Sequence, residues 1–131
     1  MALRVTLLRI RRTDTSNINE ELQWIGNTLG LFNLRDKDSS CFRVFITLVR
    51  KAKRNETVSS DDIAEKLGLT RGTVVHHLSR LMDAGIVVHE KEGYILRENT
   101  LHKLIRQIQR DIENVFGELE SVAKEIDEKL G

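Results

Sequence analysis

Apolar positions along this chain follow two rhythms, one near 3.6 residues and one near 2, and the changes between them mark the elements. The clearest run is Ser59 to Arg97. Ser59 is a good helix N-cap, and Asp62 lies in the first turn, where the helix dipole favours a carboxylate. Ile63, Ala64 and Leu67 share one helical face, and Gly68 stops the helix. Leu69 alone separates that glycine from the next cap, Thr70. A second helix follows with Val74, Leu78 and Leu81 at i, i+4 and i+7, and it ends at Gly85. The period then changes. Ile86, Val87 and Val88 are contiguous and β-branched, Lys91-Glu92-Gly93 is a turn, and Tyr94-Ile95-Leu96 is a second short β-rich run, so a hairpin is predicted.

The flanks read less sharply. In residues 2–12, Leu3, Val5 and Leu7 alternate as in a strand, while Leu3, Leu7 and Ile10 also fit a helix; β-branching and the missing cap favour a strand, paired with the hairpin or with its copy in a second subunit. Thr13 to Asn17 is a polar break. Asn17 with Glu20 resembles a capping box, and Ile18, Leu22, Ile25 and Leu29 predict an amphipathic helix ending near Gly30. Trp24 lies one step off that stripe, where it either covers a helix or subunit contact or borders the domain's own core. After a charged loop, Asn33 to Asp38, either Asp38 or Ser39 caps a helix carrying Phe42, Phe45, Leu48, Val49 and Ala52. Its basic end, Arg50-Lys51-Ala52-Lys53-Arg54, has two readings: cations favoured by the helix C-terminal dipole, or phosphate contacts. Thr57 and Val58 can add a short strand to the hairpin. Asn99 or Thr100 caps a last helix to about Leu130, with apolar residues at Leu101, Leu104, Ile108, Ile112, Val115, Leu119, Val122, Ile126 and Leu130. These steps of 3 and 4 approximate a heptad seam, and a rod of roughly 45 Å outruns a small domain, so a partner helix is expected, most simply its own copy in a symmetric dimer. Gly117 inside it invites a kink or close approach.

Composition adds an asymmetry that the net charge of +1 hides. Residues 1–54 carry eleven Lys/Arg against five Asp/Glu, residues 55–110 eight of each, and residues 111–131 two against seven. One face suited to phosphates and one not is the natural reading, although a solvated acidic helix face gives the same tail. No run of about 18 apolar residues occurs, so no membrane partner is expected. The arginines at 4, 9, 11 and 12 do not fit a signal peptide, and the single Cys41 excludes an internal disulfide and fits a reducing cytoplasm. The absence of Pro and the three Gln are mildly thermophile-like.

Two short helices joined by a tight Gly-containing turn are the sequence form of a helix-turn-helix, whose second helix is presented to the major groove. Ile63-Ala64-Glu65-Lys66-Leu67-Gly68-Leu69-Thr70, Gly72 to Leu81, and Ala84-Gly85-Ile86-Val87, in that order and followed by a hairpin, resemble the winged helix-turn-helix of prokaryotic regulators of the ArsR and MarR type, a form often seen in archaeal members. The resemblance spans residues 38–97 and leaves the first dozen unexplained. The predicted fold is therefore mainly α with a small β-wing, plus a long C-terminal dimerisation helix: an N-terminal strand or arm at 1–16, a winged helix-turn-helix DNA-binding domain at 17–98, and a coiled-coil-like helix at 99–131. The resemblance implies a homodimer on operator DNA. Metal-sensing members carry a cysteine pair in the motif's first helix; Asp61 to Leu67 has none. Their other site, of Asp and His on the terminal helix, is unmatched because His102 is the only histidine there.

On the second helix, Arg71, Thr73, Val75, His76 and Arg80 are the candidates for base or phosphate contact, with guanidinium groups suited to guanine and Val75 to thymine methyls. His77, by resemblance, lies against the domain. Ser59, Ser60 and Thr70 sit at helix N-termini, as caps compatible with phosphate contact. In the wing only Lys91 and Arg97 suit phosphate, since Glu90 and Glu92 oppose it. Cys41, His76, His77, His89 and His102 show no metal-ligand spacing, and no phosphate loop, nucleophile elbow or paired carboxylate occurs, so neither a cofactor nor an enzyme is expected. The leading expectation is a dimeric, sequence-specific regulator on double-stranded DNA, its recognition helices about 34 Å apart on a roughly palindromic site. The alternative is a winged-helix protein–protein module, to which the acidic wing lends weight. A small-molecule effector has no visible constellation.

Overall fold

The computed structural model describes residues 3–12, 17–32 and 39–131. It is a winged helix-turn-helix with a long C-terminal helix. The order is α1 (Ile18–Thr28), α2 (Ser40–Ala52), α3 (Ser60–Leu67), α4 (Arg71–Asp83), β1 (Val87–Glu90), β2 (Gly93–Leu96) and α5 (Leu101–Leu130).

Local capping chemistry places most boundaries. The side chains of Asn17, Ser59, Thr70 and Thr100 each accept a hydrogen bond from the backbone N–H three residues on, satisfying a donor that the helix itself cannot. Gly68 ends α3 in the left-handed region at φ 67°, where a Cβ would be strained. The cap of α2 differs from expectation. Ser39 is the N-cap by position, but it sits at φ 50° and its side chain makes no capping bond. Asp38, the other candidate, and the 13–16 and 33–38 segments lie outside the described residues.

The core gathers Phe45, Leu48, Ile63, Leu78, Leu81, Ile86 and Leu104, all fully buried, around α2. Cys41 and Val44 join them, although the stripe read from the sequence omitted both; Phe42 and Val49 are only half-buried. β1 and β2 pair antiparallel from Val87↔Leu96 to Glu90↔Gly93 across a two-residue turn. Val58 adds a bridge to Tyr94, as the sequence predicted for 57–58. The bridged segment is pressed close to the hairpin: a Cβ on Gly93 would lie 2.7 Å from the Val58 carbonyl oxygen.

Residues 3–12 correct the expected strand. They form no ladder with the wing and belong to no strand; Arg4 N–H donates to Asp83 O and Leu8 N–H to Thr28 O. Trp24, half-buried, donates its ring N–H to Ile10 O at 3.1 Å, so its partner is this arm.

The long helix is corrected too. Leu104 and Ile108 are 0% and 3% exposed, and Leu101 and Ile112 pack on the same core, so these four serve their own domain rather than an outside seam. From Val115 on the same stripe is bare. Leu119 is 57% exposed, and Phe116, Val122 and Ile126 are similar. Gly117 leaves α5 unbroken and has no neighbour within 4 Å of a built Cβ.

Candidate nucleic-acid interface

The site is built on α4. Val74, His77, Leu78 and Leu81 are buried and fix which face turns outward. At about 100° per residue, Gly72, His76, Ser79 and Asp83 centre that outward face, Arg71 and Val75 border one edge, and Thr73 and Arg80 border the other. Arg71 and Arg80 are therefore not a pair: nine residues make about two and a half turns and a separation of roughly 13 Å along the axis.

Arg71 opens the helix at its positively polarised end, where orphan backbone N–H groups also suit anions. It lies 3.4 Å from Asp61, and both side chains are about three-quarters exposed. Such a pair holds its partners weakly and is readily exchanged for another anion. Arg80 is half-buried near the other end, in a pocket shared with Arg4, Thr6 and Asp83. Asp83, on the outward face, was not singled out in the sequence, and its carboxylate disfavours phosphate at that end. The usable outward face is thus the N-terminal half: Arg71, Gly72, Val75 and His76.

The capping hydroxyls are committed. Ser59 Oγ accepts from Asp62 N–H at 3.0 Å, and Thr70 Oγ1 accepts from Thr73 N–H at 3.1 Å while donating to Thr73 Oγ1 at 2.8 Å. Thr73 therefore has its hydroxyl oxygen engaged by the cap, at the edge of the outward face. Ser60 is the first helical residue of α3. His77 Nε2 and Ser40 Oγ share a 2.7 Å hydrogen bond within the protein, so the adjacent histidines divide: His76 outward, His77 inward.

In the wing, Lys91 is exposed at the turn. Arg97, expected on phosphate, is instead held inside the chain. Its guanidinium donates to both carboxylate oxygens of Asp111, at 2.6 and 3.2 Å, and to Gly85 O at 3.4 Å. The hydrogen bonds from Arg97 hold the Asp111 carboxyl below the usual carboxylate range, and the same contact pushes Arg97 up. On the other side of the wing, His89 stacks on Tyr94, with centroids 4.1 Å apart.

A second basic surface lies between α2 and α3, where Arg50, Lys51, Lys53 and Arg54 meet Lys66 beside Thr47. Lys66 joins across a tertiary contact that local spacing does not reveal. Among the described residues, no three His, Cys, Asp or Glu side chains come together as a metal site, and no helix is long and apolar enough to cross a membrane.

Residues 48–88 match the family model of the bacterial regulatory proteins of the arsR family. The match starts inside α2, takes in α3, the turn and α4 whole and stops in β1, just under a third of the chain. It supports DNA binding and a place in transcription regulation, and it names the ArsR type alone. No curated protein and no solved structure matches the chain.

Proposed function

We propose that this protein is a transcriptional regulator that binds double-stranded DNA in a sequence-specific manner as a homodimer. The observation that carries this reading is the placement of α4: four buried residues pin it to the core, and its N-terminal half turns Arg71, Val75 and His76 outward from a motif that matches the ArsR-family model. A helix so presented fits the major groove, where Arg71 reaches guanine or phosphate and Val75 meets thymine methyls. Self-association rests on the bare half of α5. Val115, Leu119, Val122 and Ile126 form a continuous apolar stripe, each at least half exposed among the described residues, and two such helices side by side would bury both.

The deciding experiment is selection of bound duplexes from a random pool, repeated with Arg71→Ala. The wild type should return an enriched, roughly palindromic motif, and the variant should lose preference at particular positions. Recovery of sequences no different from the input pool would sink the reading.

One observation favours a protein-binding module instead: the wing tip carries Glu90 and Glu92 around Lys91, and the acidic second half of α5 offers an apolar stripe to a heterologous helix. A stoichiometric partner of different sequence, held by a protein that retains no DNA, would establish that alternative.

A further inference from the structure

The wing tip of this domain is acidic on balance, while a strong cluster of cations lies where α2 leads into the other end of the wing. Val58 is bridged antiparallel to Tyr94 and lies against Gly93, so residues 53–56, which lead into Val58, lie towards the Leu96 end of the hairpin, away from its turn. There Arg50, Lys51, Lys53 and Arg54 form one wall of a groove and Lys66, in the last turn of α3, the other. Lys66 stands four residues before Thr70, the N-cap of α4, so the groove borders the turn that leads into α4, where Arg43 of α2 also donates to the Leu67 carbonyl at 2.6 Å. Its lining contains no acidic and no apolar side chain. Lys51 is paired with Glu56 at 3.2 Å; among the described residues, Arg50, Lys53, Arg54 and Lys66 have no carboxylate within ion-pair distance.

The C-terminal dipole of α2 accounts for Arg50 and Lys51, which lie in its last turn. It does not account for Lys66 facing them from another helix. Four cations held near one another without counter-charge repel, and a bound polyanion relieves that repulsion. A lipid surface fits poorly, since nothing apolar borders the groove to enter it.

The geometry points to this groove as a second nucleic-acid contact, in which Arg50, Lys53, Arg54 and Lys66 take backbone phosphates of the duplex that α4 reads, supplying the grip that the acidic wing tip lacks. This inference rests on the proposed function. The contact is to phosphate alone, so it carries affinity and salt dependence without sequence preference.

The test compares the salt dependence of duplex binding for the full chain and the variant R50A/K53A/R54A/K66A, with thermal unfolding as a check on folding. Each lost phosphate contact removes about 0.9 from the log–log slope, so a drop of about 2 to 4 is expected, equal on the selected motif and on unrelated duplex. If the quadruple variant does not fold, the pairs R50A/K53A and R54A/K66A should each lower the slope by about half as much. A folded variant with the wild-type slope overturns the inference, as does an equal drop from removing four cations elsewhere (R106A/R110A/K124A/K129A). Loss of single-stranded RNA binding with duplex binding intact also overturns it. A wild type that binds no duplex at all overturns the proposed function itself, an outcome distinguishable from the others.

Discussion

Arg97 and Asp111 form a two-point clamp, 2.6 and 3.2 Å long, between the end of the wing and the root of α5. Each side chain is about one-quarter exposed, so the pair is screened less than a surface contact. Replacing Asp111 with Asn keeps the shape and removes the charge. Chemical denaturation at pH 7 should show a loss of about 1–2 kcal/mol, in the range of charge-assisted hydrogen bonds.

The same pair gives a pH dependence with a definite sign. The folded-state pKa of Asp111 is lowered, so the unfolded chain binds its proton first as pH falls. Its contribution is complete above the ordinary aspartate range and disappears as pH drops through the lowered folded value. In acid titrations of stability, wild type and D111N should differ near neutrality and converge at the acid end. Curves that stay parallel throughout would contradict the clamp.

His76 and His77 should behave oppositely although adjacent. His76→Ala, on the exposed face, should leave stability within about 0.5 kcal/mol while weakening DNA binding. His77 is 8% exposed and bonded to Ser40 across the α2–α4 contact, so His77→Ala should cost roughly 1–3 kcal/mol of stability. Denaturation midpoints of the two variants check this directly.

Gly93→Ala should be severe for a one-carbon change. At φ 151° the residue is in a region that side chains avoid, and the new methyl would meet the Val58 carbonyl. A loss of roughly 2 kcal/mol or more is expected, with the segment at Val58 displaced from the wing. Thermal unfolding and amide exchange at Tyr94 are the measurements.

Leu119→Glu with Ile126→Glu should separate assembly from folding. Both positions are at least half exposed in the single chain, so the domain should stay folded while the solution mass falls to that of a monomer. An unchanged dimer mass by light scattering would move the proposed contact away from the tail of α5.

What the sequence made legible follows the range of the interactions. The caps at Asn17, Ser59, Thr70 and Thr100 act over three residues, and the helix starts could be read from them directly. Gly68 is also a local signal, whereas the Val58 bridge, which joins residues far apart, was legible only from the order of the elements. Most of the misreadings involve distance. Arg97 looked available because its partner is fourteen residues away on another element. The arm looked like a strand because its backbone bonds to isolated carbonyls of Asp83 and Thr28, which no pattern announces. Leu104 and Leu119 lie on one stripe with one spacing, and only the fold shows that the domain covers the first and leaves the second bare. At the candidate site, the outward placement of Arg71, Val75 and His76 was legible from helical period. The place of the Thr73 hydroxyl in the cap was not, and that of Lys66 was not, because its neighbours are on α2.

The rooting of α5 has a mechanical consequence. Leu104 and Ile108 seat its base in the core that also holds Leu78 and Leu81 of α4, and Asp111 ties it to the wing. The bare segment beyond Ile112 is a stiff lever about 27 Å long, so a tilt of about 10° at the root swings its tip by roughly 5 Å. Force applied at the tip is delivered to that root and, through the Arg97–Asp111 clamp, to the end of the wing.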